Sequence, residues 1–165
     1  MLSALTLAKA KEILAKHTTE AHLFTHAAAV SAAMGALAEH FGADAEHWAA
    51  IGWLHDVDYE KFPNEHCRHV RELLEPEGVD EEDIRSIISH GYGLVTDEKP
   101  PETDLEKSLF AVDELTGIVH AYALMRPEGM VGMEVKSLKK KFKDKRFAAK
   151  MRPRSYQRRR RKARA

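Results

Sequence analysis

Three well-separated segments of the sequence carry residues that could bind one metal ion together. These residues are His26, the adjacent pair His55-Asp56, and Asp113. Imidazole and carboxylate groups brought together in this way suit a divalent cation of hard or borderline character. The alternative is that His26 belongs to a core stripe and Asp113 is a solvated helix residue. Asp113 follows Val112 at the edge of an apolar face, however, where a carboxylate needs a partner, and this position favours the metal site.

Helical periodicity places these residues on separate helices of an all-α, single-domain bundle. Alanine is abundant and aromatic residues make up only 7% of the chain, which suits packed helices better than a sheet. Apolar residues at steps of three or four predict helices at roughly 3–16, 19–40, 44–56, 63–75, 80–90 and 103–124, followed by a lysine-rich helix at 133–146. Thr18 or Thr19, Asp44 and Asp80 are the expected N-caps, and Gly42 is expected to end the second helix.

The stretches WLHDVDYEKFP, SHGYG and FAVDELTG resemble the HD superfamily of metal-dependent phosphohydrolases, and in particular small bacterial HD-domain hydrolases. The resemblance covers the chain from about His26 to about Phe147. It implies an HD-type bundle of six or seven helices over residues 1–147 and hydrolysis of a phosphate ester, for example a nucleotide. The metal ligands that it implies are His26, His55, Asp56 and Asp113. Mn²⁺, Fe²⁺, Mg²⁺, Co²⁺ and Ni²⁺ all suit such ligands.

His66 and His90 fit the extended order H…HD…H…H…D, in which two-metal HD proteins use extra histidines to hold a second ion. The resemblance therefore implies a catalytic role for both, through a second ion or through the substrate phosphate. The alternative is that both are surface residues at helix ends. A further histidine pair found in two-metal members is missing, which favours one tightly held ion and a weaker second one.

Asp56 is a catalytic candidate through the ion, and Lys61 could neutralise a phosphate or simply lie on the surface.

Other residues near the HD pair are open to more than one interpretation. Asp58 could orient a water or cap the following turn. Cys67 is interpreted as a small core or half-buried residue. Because it is the only cysteine, an intrachain disulfide is impossible. The sequence contains no phosphate-binding loop, GxSxG or CxxC motif. No apolar run approaches the ~18 residues of a membrane span, and the N-terminus does not resemble a secretory signal, so a cytoplasmic protein is expected.

Charge is distributed very unevenly along the chain. Residues 1–135 contain 10 lysines and arginines against 25 acidic residues, whereas residues 136–165 contain 16 basic residues and Asp144 alone. The segment 148–165 is predicted to be a disordered basic tail, either a genuine extension or the product of a shifted reading frame. It could bind polyanions weakly. The alternative function is therefore a non-catalytic, nucleic-acid-binding or regulatory HD-domain protein that acts through this tail.

Overall fold

Seven α-helices make up the regular structure of the part of the chain that the computed structural model describes, residues 5–144 of 165. They are α1 (Leu7–His17), α2 (Ala21–Phe41), α3 (Ala45–Leu54), α4 (Val70–Leu74), α5 (Glu81–Ser89), α6 (Asp104–Met125) and α7 (Val135–Lys143). A 3-10 turn, Glu75–Glu77, continues α4. Within residues 5–144 there is no strand, only an isolated bridge between Tyr92 and Thr96. The predicted all-α class is confirmed.

The core is organised around α3, which packs against both α2 and α1. Its buried residues Ile51 and Leu54 join the core that also contains Val30 and Met34 of α2. The α2–α3 contact is close at Gly52, where an added Cβ would lie 3.0 Å from both the Ser31 Cα and the Val30 carbonyl oxygen. A glycine here allows the two helix backbones to approach, and it lies three residues before the HD pair.

Several helix boundaries follow the capping residues expected from the sequence. Asp44 accepts from the His47 amide at 3.1 Å, and Asp80 accepts from the Asp83 amide at 2.8 Å. Gly42 ends α2 in the left-handed conformation with a φ of 65°. The expected cap of α2 was wrong: the N-cap position is Glu20 and makes no side-chain cap bond.

The predicted start of the fourth helix was also wrong. Residues 63–69 form turns, and α4 begins only at Val70. His66 therefore lies in the connection after α3 and not in the first turn of a helix. One physical reason is Cys67, whose φ of 70° is incompatible with a right-handed helix.

A capping box fixes the start of α6. The Glu106 carboxylate accepts from the backbone amides of Glu102 at 2.8 Å and Thr103 at 3.0 Å, and the Thr103 hydroxyl accepts from the Glu106 amide at 3.2 Å. Glu106 is 2% exposed and pairs with the Lys99 ammonium at 3.2 Å. These bonds anchor the helix two turns before Asp113.

The chain divides into two compact units, one ending at Asp113 and the other beginning at Glu114. In the second unit, α7 lies within the lysine-rich segment that the sequence predicted to be helical. The ring of Tyr122 there has the cationic groups of Arg126 and Lys141 within 6 Å of its centroid. The predicted domain boundary at 147/148 and the basic tail fall outside the described residues.

By length and composition alone, α2 could cross a membrane, and it is the one such helix in residues 5–144. The expectation that no segment has this property was therefore too strong. Core helices often have the same composition, and α2 packs along α3 with Val30, Met34 and Ala38 fully buried. This packing accounts for part of its apolar character, since 28% of the apolar window is buried.

Candidate metal centre

Four side chains from α2, from α6 and from the two residues after α3 converge on one point in the first unit. His26 comes from α2, His55 and Asp56 follow directly from the end of α3, and Asp113 lies on α6. The His26 Nε2 is 3.0 Å from the His55 Nε2 and 3.0 Å from the Asp113 Oδ1. The Asp56 Oδ2 lies 3.4 Å from the His26 Nε2 and 3.3 Å from the His55 Nε2. The structure thus brings together the four residues predicted to bind the metal, and we call them the first donor set.

The local fold fixes which nitrogen of His55 faces this cluster. Its Nδ1 lies 2.7 Å from the Gly52 carbonyl oxygen, and because a carbonyl only accepts, Nδ1 carries a hydrogen. The Nε2 then presents a lone pair, or a second proton, to His26 and Asp113. A backbone carbonyl behind an imidazole is a common way to orient a metal-binding histidine.

The other oxygen of Asp56 faces a second donor set, formed with His66 and His90. Asp56 Oδ1 lies 3.0 Å from the His66 Nε2 and 3.5 Å from the His90 Nε2, and these two nitrogens are 3.1 Å apart. The His90 Nδ1 donates to the Ile87 carbonyl. Both sets therefore place imidazole Nε2 atoms against one carboxylate, and Asp56 belongs to each.

Asp58 determines the orientation of His66 in the turn segment after α3. Its Oδ1 lies 2.7 Å from the His66 Nδ1, and its Oδ2 accepts from the His69 amide at 3.2 Å. Asp58 is fully buried. The sequence left its role open, and the structure shows that it holds both the ring and the turn. A carboxylate two residues after the HD pair was the available signal, but its partner lies in a turn that the sequence predicted to be helix.

Positive charge, supplied by protons or by a metal ion, stabilises the donor atoms of the two sets. Burial opposes protonation of His55, but the charge of Asp56 and hydrogen bonds to Asp113 and Asp56 outweigh it and raise its pKa to about 9. Burial would raise the pKa of Asp56, yet His55, His66 and His90 hold that pKa well below its usual range. The pKa of Asp113 is lowered in the same way by hydrogen bonds from His26 and His55, against its burial. Protons and a divalent cation thus compete for the same lone pairs.

The cluster is partly accessible to solvent. The side chain of His55 is fully buried and that of His90 is 2% exposed, whereas those of Asp56 and Asp113 are 20% and 32% exposed. The ring of Tyr59, also exposed, lies edge-on to His66 with centroids 5.3 Å apart. Solvent therefore reaches the shared carboxylate of Asp56, and an exposed aromatic side chain lies beside the second donor set.

Two other residues singled out in the sequence lie in different surroundings. Lys61 is exposed, and its ammonium contacts the His17 Nδ1 at 2.8 Å, with no contact to either donor set. Its role toward a phosphate stays a prediction. Cys67 is buried, as expected, but its Sγ lies 3.8 Å from the His90 Nε2. Its adjacency to His66 was the only sequence indication of that position.

One protein family matches the chain. The model of the HD domain matches residues 23–118, which is more than half of the chain. The matched segment contains every member of both donor sets: His26, His55, Asp56, His66, His90 and Asp113. No curated protein and no solved structure shows significant similarity to the chain.

Proposed function

Because the chain belongs to the HD domain family of metal-dependent phosphohydrolases, we propose that it hydrolyses a small phosphate ester with the help of a divalent cation. The observation that carries the proposal is the convergence of His26, His55, Asp56 and Asp113 within 4.8 Å of one another. Two imidazoles and two carboxylates suit Mn²⁺, Fe²⁺, Mg²⁺, Co²⁺ or Ni²⁺ without selecting sharply among them. Such an ion, when bound, lowers the pKa of a water and polarises a phosphoryl oxygen.

The first donor set would hold the tighter ion. It contains four donors whose orientation is supported by the Gly52 carbonyl behind His55 and the anchored start of α6 before Asp113. The second set offers three donors, His66, His90 and the shared Asp56, and would hold a weaker ion or contact the substrate phosphate. This division agrees with the lack of a further histidine pair in the sequence, which favours one tightly held ion and a weaker second one.

His66 and Asp58 give the site a means to move a proton. Burial disfavours the imidazolium form of His66, but hydrogen bonds to Asp56 and Asp58 outweigh it and raise its pKa above the ordinary value. When the second donor set contacts the substrate phosphate and holds no ion, a proton on the His66 Nε2, which lies 3.0 Å from the Asp56 Oδ1, can pass to the oxygen of a leaving alcohol. Asp58, bonded to the Nδ1, stabilises the imidazolium and keeps the ring in place.

The exposed ring of Tyr59 supports a substrate that carries an organic group beside its phosphate. An aromatic face next to the donor sets can stack on a planar group, and a nucleotide has both a planar base and a phosphate. The substrate class proposed is accordingly a phosphomonoester such as a nucleotide.

A metal-supplemented screen tests the function directly. The full-length protein is freed of metal, reloaded with each of the five cations, and assayed on phosphomonoesters, phosphodiesters and nucleotides. We expect turnover with at least one cation, and its loss in Asp113→Ala. A protein that retains metal but turns over none of these substrates would contradict the proposed reaction.

The alternative of a non-catalytic, nucleic-acid-binding or regulatory protein is supported by composition only. The arginine-rich stretch 151–165 contains no acidic residue and lies outside the described residues. Salt-sensitive RNA binding in a protein without phosphatase activity would favour this alternative. The intact first donor set favours the hydrolase.

A further inference from the structure

The second donor set has a neighbour that neither the family nor the sequence pattern assigns to it. Cys67 follows His66 directly, is 1% exposed, and places its Sγ 3.8 Å from the His90 Nε2 and 3.9 Å from the His90 Nδ1. One donor atom from each of His66, Cys67 and His90 lies within 4.8 Å of the others. Ligands of one small cation lie at such mutual distances, because each is only about 2.0–2.3 Å from the metal.

The donors around the thiol point to a cation. The Ile87 carbonyl takes the Nδ1 hydrogen of His90, and Asp58 takes that of His66. The Nε2 atoms of both rings then face each other at 3.1 Å, with the Asp56 Oδ1 3.0 Å from the first. Three atoms that accept hydrogen bonds in their neutral or ionised forms therefore meet at the second donor set, with the sulfur 3.8 Å from one of them, and an added cation satisfies all three.

The backbone makes room for the sulfur at this place. Cys67 is the only residue other than glycine with a positive φ in residues 5–144. Opposite it, a Cβ added at Gly91 would lie 2.6 Å from the Cys67 Sγ. A left-handed residue on one side and a missing side chain on the other thus accommodate one thiol next to His90.

We propose that Cys67 binds, as a thiolate, the cation held by His66, His90 and the Asp56 Oδ1. The S–H bond breaks on binding and its proton passes to solvent. A cation at the second donor set would then be bound by two nitrogens, one oxygen and one sulfur, whereas a cation at the first donor set would be bound by two nitrogens and two oxygens. Thiolate ligands favour Zn²⁺, Fe²⁺ or Co²⁺ over Mg²⁺ or Mn²⁺, so the two positions would differ in metal preference. This inference rests on the proposed function, since it adds a ligand to the second ion.

Cobalt titration of the full-length protein tests the proposal without an activity assay. Cys67 is the only cysteine in the chain, so any thiolate-to-cobalt charge-transfer absorption in the near ultraviolet must come from it. We expect this band in the wild type and its loss in Cys67→Ser, which keeps the visible d–d absorption of cobalt at the first position. Cys67→Gly, which removes the thiol and suits the positive φ, should give the same result if the serine variant folds poorly. Asp113→Ala, which changes only the first donor set, should retain the band.

Zinc affinity gives a second measurement. Loss of a residue that only hydrogen-bonds to a metal ligand typically weakens metal binding by ~10- to 100-fold. Loss of Cys67, a direct ligand, should weaken zinc binding at the second donor set by at least as much. Mg²⁺ binding should change little. Two bound cobalt ions without the charge-transfer band, or equal zinc affinity in the wild type and Cys67→Ser, would overturn the role of Cys67 and leave the proposed hydrolase standing. A wild type that binds no divalent cation would overturn both.

Discussion

Asp56 is the residue on which both donor sets depend, because its two oxygens face different imidazoles. The Oδ2 belongs with His26 and His55, and the Oδ1 with His66 and His90. A carboxylate shared in this way would couple the occupancy of two cation positions, since the loss of one side chain would remove a ligand from each. No other residue of the described chain takes part in both sets.

Replacement of His66 or Asp58 should impair turnover more than it reduces binding of the tight ion. We expect His66→Gln and Asp58→Asn each to lower kcat by about 10- to 100-fold, the cost typical of a lost supporting contact. The double variant should lose little more than His66→Gln alone, because Asp58 acts through the imidazole. Measurement of kcat and of bound metal for the three variants checks this, with the exposed Asp97→Asn as control. Additive losses would show that Asp58 has a separate role.

The ion pair between His47 and Asp83 should make stability depend on pH. A hydrogen bond from His47 to the buried Asp83 raises the pKa of His47, with help from the charges of Asp44 and Asp80 and against partial burial. Because the pKa of His47 is raised in the folded state, its ion pair stabilises the fold fully at a pH below the unfolded-state pKa of about 6.5. This stabilisation is lost as the pH rises through the folded-state pKa.

His47→Gln keeps a neutral donor and removes the charge. The variant should be less stable than the wild type by roughly 1 kcal/mol near pH 6 and nearly equal to it near pH 9. Thermal unfolding of both metal-loaded proteins at the two pH values measures the difference. A difference that is constant or grows with pH would contradict this assignment.

At the scale of the elements, the sequence predicts helices well and connections poorly. Asp44, Asp80 and Gly42 act within one or two residues of the boundaries they define, so local chemistry was enough to place them. The connection after α3 depends on tertiary contacts, namely Asp58 with His66 and the positive φ of Cys67. The order of the candidate ligands could therefore be predicted from the sequence, but not the orientation of His66 or the approach of Cys67 to His90.

The close contact of α2 with α3 should tolerate no side chain at Gly52. A Cβ there would lie 3.0 Å from two backbone atoms of α2, which cannot move aside like a flexible side chain. We expect Gly52→Ala to destabilise the fold by about 1–3 kcal/mol and to weaken metal binding, because the Gly52 carbonyl orients His55.

Gly35→Ala is the matched control on the facing helix. A Cβ at Gly35 would lie 3.6 Å from the Ala45 carbonyl oxygen, an ordinary contact, and alanine should stabilise the helix by up to about 1 kcal/mol. Chemical denaturation and metal titration of both variants test the pair. If Gly52→Ala proved as stable as Gly35→Ala, the close approach would not be what positions the HD pair.

At the scale of the whole molecule, the uneven distribution of charge separates an acidic body from a basic end. All residues of both donor sets lie within the segment that matches the HD domain, whereas 11 of the chain's 26 basic residues follow Asp144. Composition and the family resemblance together predicted the fold class and the order of the candidate ligands. They could not predict what the basic end does, because its interactions depend on a partner that the sequence does not specify.

Removal of residues 151–165 should leave hydrolysis of a small phosphate ester nearly unchanged. The segment contains no carboxylate, histidine or cysteine, so it supplies no metal ligand. Truncation should instead remove weak, salt-sensitive binding to polyanions, which scales with the number of phosphates neutralised. Assays of the full-length and truncated proteins at two salt concentrations distinguish these effects. A large loss of activity on the small substrate would show that the basic end contributes to the site.

Metal content is the measurement that tests the central claim most directly. The wild type, Asp56→Ala and the control Asp97→Ala are loaded with the same divalent cation, freed of excess and analysed for bound metal, with circular dichroism to verify the helical fold. We predict stoichiometric metal in the wild type and the control, and its loss from Asp56→Ala with helix content retained. A wild-type protein that retains no divalent metal under any loading condition would contradict the account.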